Sequence, residues 1–94
     1  MMNKYGLISK VLCVEGKRDE LSSILAKGTQ NMQGCESYVI AKDVTNHDAI
    51  WITEIWETKA AHQASLSLPS VQQAILEGRP MIAEFAQRTE TQPL

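Results

Sequence analysis

The residues able to do chemistry concentrate between Ile50 and Leu68. Glu54 sits inside an apolar run, Ile50-Trp51-Ile52-Thr53-Glu54-Ile55-Trp56, and His62 follows shortly after. Imidazole titrates near neutral pH, so His62 is a candidate base that can take a proton from a phenol without prior tuning. The alternative is a partly exposed helix histidine packed beside Leu66. Burial would raise the pKa of Glu54 and make it a second base or a group that orients His62. A salt bridge to Lys10 or Arg79 is the other reading. Trp56 falls on the same strand face as Glu54, where its indole either stacks on a flat substrate or fills the core. Tyr5, Ser9 and Tyr38 offer hydroxyls to such a pocket, although nothing in the sequence singles them out. His47 lies in a polar stretch and reads as a solvated loop residue. Cys13 and Cys35 are too few and too far apart for a disulfide framework or a zinc site. They read as small hydrophobes rather than a redox pair, and no metal site is expected.

These residues need elements to position them. Tyr5 to Val14 alternates with apolar residues on both sides, as expected of a strand covered on two faces. Glu15-Gly16-Lys17 is a turn. Leu21, Ile24, Leu25, Gly28 and Met32 recur at helical spacing, with Asp19 and Glu20 suited to the helix start and Gln33-Gly34 to its stop. Glu36 to Lys42 is a second strand, and Asp43 to Asp48 a hairpin loop. In the third strand Trp51 and Trp56 are an odd number of residues apart. Trp51, Thr53 and Ile55 therefore oppose Ile50, Ile52, Glu54 and Trp56. Thr58 reads as the N-cap of a helix from Lys59 to about Leu66. Its inward stripe is Ala61, Ala64, Ser65 and Leu68, with His62 at the edge and Pro69 closing the segment. The capping-box pattern at Ser70 starts another short helix to about Glu77, with Val71, Ala74, Ile75 and Gly78 inward. The last strand runs from Met81 to about Arg88, placing Met81, Ala83 and Phe85 opposite Ile82 and Ala86. A polar tail follows from about Thr89.

The order strand, helix, strand, strand, helices, strand is the ferredoxin-like βαββαβ pattern of an α+β fold with an antiparallel four-stranded sheet. Right-handed crossovers put the helical segments on one side. The other face of strands one and three is apolar, and the patch exceeds what soluble monomers expose. A homodimer pairing two sheets, a dimeric α/β barrel, is expected.

Ninety-four residues with 44% apolar and 21% charged content make one globular domain, 1–94, rather than a disordered chain. A net charge of -2 gives no electrostatic footprint for nucleic acid or an anionic membrane surface. No apolar run is long enough to span a bilayer. The N-terminal Met1 to Lys10 shows no signal-peptide pattern, which makes the cytoplasm the expected location.

Several stretches carry a resemblance. Glu15-Gly16-Lys17-Arg18-Asp19-Glu20-Leu21 is similar to a family turn into the first helix, and Gly34-Cys35-Glu36-Ser37-Tyr38 to an entry into strand two. Glu54-Ile55-Trp56-Glu57-Thr58 and Ala61-His62-Gln63-Ala64-Ser65-Leu66 extend the match, with Pro69 to Val71 and Gly78-Arg79-Pro80 after them. In this order they resemble the antibiotic biosynthesis monooxygenase superfamily of small dimeric α/β-barrel proteins, in particular its quinol monooxygenase branch. The resemblance implies a homodimer with one cleft per subunit. It also implies oxygen insertion into a quinol-like or polyphenolic aromatic with molecular oxygen and without cofactor, with Trp56 matching the tryptophan of a Glu-x-Trp motif. Similar folds also serve other reactions or none established, so a non-catalytic small-molecule-binding or stress-response dimer is the alternative. The haem-degrading branch uses a first-strand asparagine and a tryptophan and histidine on the helical segment after strand three. Here those positions fall at Ser9, near Ser65, and in Val71 to Glu77, which holds no histidine. Haem degradation becomes a minor alternative.

Overall fold

The computed structural model describes residues 3–94. Met1 and Met2, part of the stretch read for a signal peptide, lie outside the described residues. The elements are β1 (Tyr5–Cys13), α1 (Arg18–Gly28), β2 (Cys35–Lys42), β3 (Ala49–Trp56), α2 (Lys59–Ser65), α3 (Pro69–Gly78) and β4 (Ile82–Thr91), with a 3-10 turn at Arg79–Met81 before β4. The strands form one antiparallel sheet in the order β2-β3-β1-β4. This is the ferredoxin-like βαββαβ arrangement expected from the order of elements.

Alternation along β1 and β3 fixes which side chains reach the helices. Tyr5, Leu7, Ser9, Val11 and Cys13 are buried on β1, and Ile50, Ile52, Glu54 and Trp56 on β3. They face the helices, as the period-two pattern requires. The core has two parts on this side. Tyr5, Leu7, Met32, Trp56 and Val71 form one cluster, and Val11, Cys13, Leu21, Ile50 and Ile52 form the other. Cys13 and Cys35 are both free thiols.

Four expectations are corrected. First, α1 ends at Gly28 rather than near Gln33, with Thr29 as its C-cap. Met32 still reaches the core, carried there by the turn after the helix, which includes Asn31 at φ 56° and Gly34 at φ 80°. Second, Pro69 opens α3 instead of closing the segment before it. Proline fits the first helical position because that N–H has no intrahelical partner. Third, the buried residues of α2 are His62 and Ser65, while Ala64 is exposed. Fourth, β4 runs on to Thr91, because Thr89, Glu90 and Thr91 pair with Ile8, Leu7 and Gly6.

Helix α1 packs on α3 through Gly28, where an added Cβ would lie 2.5 Å from the Ala74 Cβ and 2.9 Å from the Ser70 carbonyl oxygen. Both distances are inside van der Waals contact, so the helices approach this closely only with glycine there. Gly28→Ala, normally a favourable change for a helix, is expected to lower the urea midpoint. A midpoint equal to or above wild type would show that the contact relaxes freely.

Candidate functional site

Helix α2 sits where it does because the chain has little slack between β3 and its first turn. Thr58 accepts a 3.0 Å hydrogen bond from the Ala61 N–H through its Oγ1, the N-cap expected from the sequence. The Glu57 N–H donates to the Gly34 carbonyl at 2.8 Å, tying the strand exit to the turn before β2. Gly34 is needed twice: its φ is 80°, and a Cβ there would meet the Ala61 Cβ at 2.7 Å. With that clearance α2 lies close against the sheet and turns His62 inward, where it is 7% exposed.

His62 meets three groups. Its Nε2 lies 3.9 Å from Glu54 Oε1, beyond hydrogen-bond range but well within electrostatic reach. Its ring stands edge-on to Trp56 with centroids 5.5 Å apart, and tilted to Tyr5 at 5.3 Å. Glu54 is 8% exposed and accepts a 3.0 Å bond from the Trp56 indole Nε1–H. Burial pushes the Glu54 carboxyl above its ordinary range, against the pull of the Trp56 hydrogen bond and the Arg88 charge. Burial also pushes His62 down, and the Arg88 charge adds to the effect. Both groups are biased toward their uncharged forms, which gives His62 a free lone pair at neutral pH.

A cavity of about 560 Å³ opens between the sheet and the helices. Leu7, Val11, Ile52, Leu25, Ala74 and Ile75 give it apolar walls, and Ser9, Tyr38, Glu54 and His62 supply polar atoms. That size and lining suit a small organic ligand. Burial raises the Tyr38 phenol, which stays protonated and able to donate. The expected residues therefore separate. Ser9, Tyr38, Glu54 and His62 line one cavity. Trp56 lies behind it, 1% exposed in the core, and touches the site through its bond to Glu54. Tyr5 packs on His62 outside the lining and donates its hydroxyl to Glu90 at 2.9 Å. Lys59 holds the same Glu90 carboxylate at 3.0 Å. The ion pairs considered for Glu54 do not form. Lys10 is on the other face of the sheet, paired with Asp43 at 3.7 Å.

Phe85 and Arg88 also line the cavity and have no signal in the sequence. The β4 register slips twice against β1, so that Ala83 and Ala86 are passed over and Cys13, Val11 and Ser9 face Ile82, Phe85 and Arg88. Bulges of this kind put an extra residue in one strand and re-aim its neighbours. Strict alternation sets Phe85 opposite Ile82; the bulges bring both to the helix side. Among the described residues, no cluster of three or more His, Cys, Asp or Glu is placed to hold a metal ion. No helix among them is long and apolar enough to cross a membrane.

The two pKa shifts act on stability in opposite directions. With its folded pKa above 4.5, Glu54 lowers stability as pH rises from about 4.5 through the folded value. With its folded pKa below 6.5, His62 lowers stability as pH falls from about 6.5 through its folded value. Glu54→Gln is therefore expected to gain thermal midpoint over wild type as pH is raised from about 4 to about 8. His62→Gln is expected to gain as pH is lowered below 6.5. Midpoint differences that stay constant with pH would show that neither group is perturbed.

Comparison with known proteins agrees with this geometry. The family model for antibiotic biosynthesis monooxygenase matches residues 11–76. No curated protein matches the chain. Among solved structures, one from Chloroflexus aurantiacus J-10-fl, provisionally named an antibiotic biosynthesis monooxygenase, is 53% identical with a TM-score of 0.96. The match covers 97% of this chain and 93% of that one. A protein from Caulobacter crescentus CB15 with the same provisional name is 15% identical at a TM-score of 0.87, covering 99% of this chain and 92% of that one. A conserved protein from Methanosarcina mazei Go1 is 11% identical at a TM-score of 0.85, covering 99% and 95%. The last two matches speak to the fold alone. With the family model spanning most of its length and more than half its residues shared with the Chloroflexus structure, this chain belongs to the antibiotic biosynthesis monooxygenase family, which supports a monooxygenase-like role.

Proposed function

We propose that this protein is a cofactor-independent monooxygenase acting on a quinol-like or polyphenolic aromatic with molecular oxygen, with His62 as the base. The observation that carries the reading is His62 itself. It is an imidazole biased toward its neutral form, on the wall of an apolar cavity, beside a buried carboxylate. His62 takes the proton of a substrate hydroxyl, and the resulting electron-rich anion passes an electron to oxygen. Recombination puts one oxygen atom into the ring and the second leaves as water. For a hydroquinone the products are a hydroxyquinone and water, and the four electrons come from the substrate. The apolar walls hold the anion away from bulk water and orient it. The positive charge that His62 gains favours the ionised form of Glu54, 3.9 Å away, which offsets that charge while the Trp56 indole fixes the carboxylate.

A non-catalytic binding role is the second reading. Its support is the 3.9 Å gap, which leaves His62 without an orienting hydrogen bond from Glu54. The two readings separate in oxygen uptake by purified metal-free protein over a hydroquinone panel, scored as the excess over buffer. The expected result is an excess that falls by about 10²–10⁴ in His62→Ala, the usual worth of a positioned base. Equal rates in wild type and variant would remove His62 as the base. Saturable binding with no excess for any panel member would favour the binding reading.

We further place the protein in the cytoplasm as a single-domain homodimer. Ile8, Leu12, Trp51 and Ile55 lie on the sheet face turned away from the helices, beside the exposed Val39. Pairing two such faces would bury this patch. Sedimentation at micromolar concentration should give a dimer, and Leu12→Asp should shift it toward monomer. A clean wild-type monomer would overturn the assembly.

A further inference from the structure

The open side of the cavity carries a charge that its apolar walls do not need. Arg88 on β4 and Arg79 in the 3-10 turn both line it. Neither makes an ion pair or a side-chain hydrogen bond among the described residues. Of the two acids that the Arg88 charge acts on, Glu90, in the next cross-strand row, is held by Lys59 and Tyr5, and Glu54 accepts from the Trp56 indole. Ser9 lies directly across from Arg88 in the β1–β4 register. It is 5% exposed, lines the cavity, and its hydroxyl makes no hydrogen bond among the described residues. The only fully buried side-chain polar atom left without a partner among the described residues is Arg18 Nε, so the Ser9 hydroxyl is open to the cavity rather than sealed in the core. Here a cationic fork and a free hydroxyl share one row of the sheet and face the same space.

We propose that the cavity selects hydroxylated aromatics that also carry a carboxylate, seated on the Arg88 guanidinium and the Ser9 hydroxyl, with the ring hydroxyl turned toward His62. Which end reacts rests on the monooxygenase reading above; selection of the anion does not. The guanidinium fork matches the two oxygens of a planar carboxylate. Spacing also fits. Arg88 is two strands and one cross-strand row from Glu54, roughly 10–12 Å between Cα atoms. A one- or two-ring aromatic bridges that distance once the long arginine side chain turns inward. Phe85, one row further along β4, gives the ring an apolar face to lie on.

The test is calorimetric titration with 2,5-dihydroxybenzoate and with its methyl ester, which differ in the charge and one methyl group. Wild type is expected to bind the acid about tenfold more tightly than the ester, the worth of one charge-assisted contact. In Arg88→Gln the gap should close while affinity for the ester stays within about twofold, and Ser9→Ala should narrow it. Added salt should weaken only the acid in wild type, which keeps the test open if a variant fails to fold. Equal affinity for acid and ester, a gap that survives Arg88→Gln, or no binding of either would overturn the proposal. Oxygen uptake is scored separately. An Arg88-dependent preference without uptake leaves this selection standing and removes the monooxygenase reading. Uptake with acid and ester alike, at equal affinity, does the reverse.

Discussion

A carboxylate in an apolar sheet face is expensive, and the site is arranged around making it tolerable. Glu54 lies on β3, flanked in register by Leu7 on β1 and Tyr38 on β2. Left without a partner there it would cost several kcal/mol. The Trp56 indole N–H meets one oxygen, two residues along the same strand face. That spacing is the shortest that keeps both side chains on one side of the sheet. Trp56 is thereby committed to the core, and the space over Glu54 must be closed by something that tolerates a carboxyl. His62 is that group. The short, capped connection from β3 into α2 delivers it there.

Access comes from the other side. Helices α1 and α3 pack together, while β4 is an edge strand paired only with β1 and stays mostly exposed. The cavity is therefore closed at the carboxylate end and open along β4. The acid–base pair sits in its dry part and the arginines at its rim. Field strength is greatest where water is least, so a proton transfer near His62 and Glu54 feels every nearby charge, including Arg88.

How much of this is legible in the sequence depends on the kind of signal. Two-sided strands announce themselves through alternation, so the faces of β1 and β3 and the position of Glu54 beside Trp56 can be read directly. So can the Thr58 cap, a local hydrogen bond between residues three apart. Interactions set by tertiary approach cannot. The end of α1 escapes a sequence reading because Gly28 serves contact with α3 rather than punctuation, and the apolar period runs on through Met32. A helical wheel puts His62 at the edge of its helix. Its burial comes from how closely α2 approaches the sheet over Gly34, which no wheel records. Pro69 carries two meanings, stop and start, and only the chain path chooses between them. Phe85 and Arg88 are invisible as a pair, because the bulges that align them leave no mark beyond two alanines.

Those alanines have a consequence of their own. The ladder steps over Ala83 and Ala86, so β4 carries two residues more than its pairs require. Each bulge inverts the facing of the residues beyond it, and the second undoes the first. Between them lies a short inverted frame that shows Phe85 to the cavity and turns Glu84 away. Losing either alanine would leave every remaining pair of the ladder with its partner, and only the bend of the strand would relax. The wall of the cavity thus has spare length in an edge strand, which a single neighbour holds. Insertions and deletions, normally ruinous in a sheet, become there a means of reshaping a binding site without touching its frame.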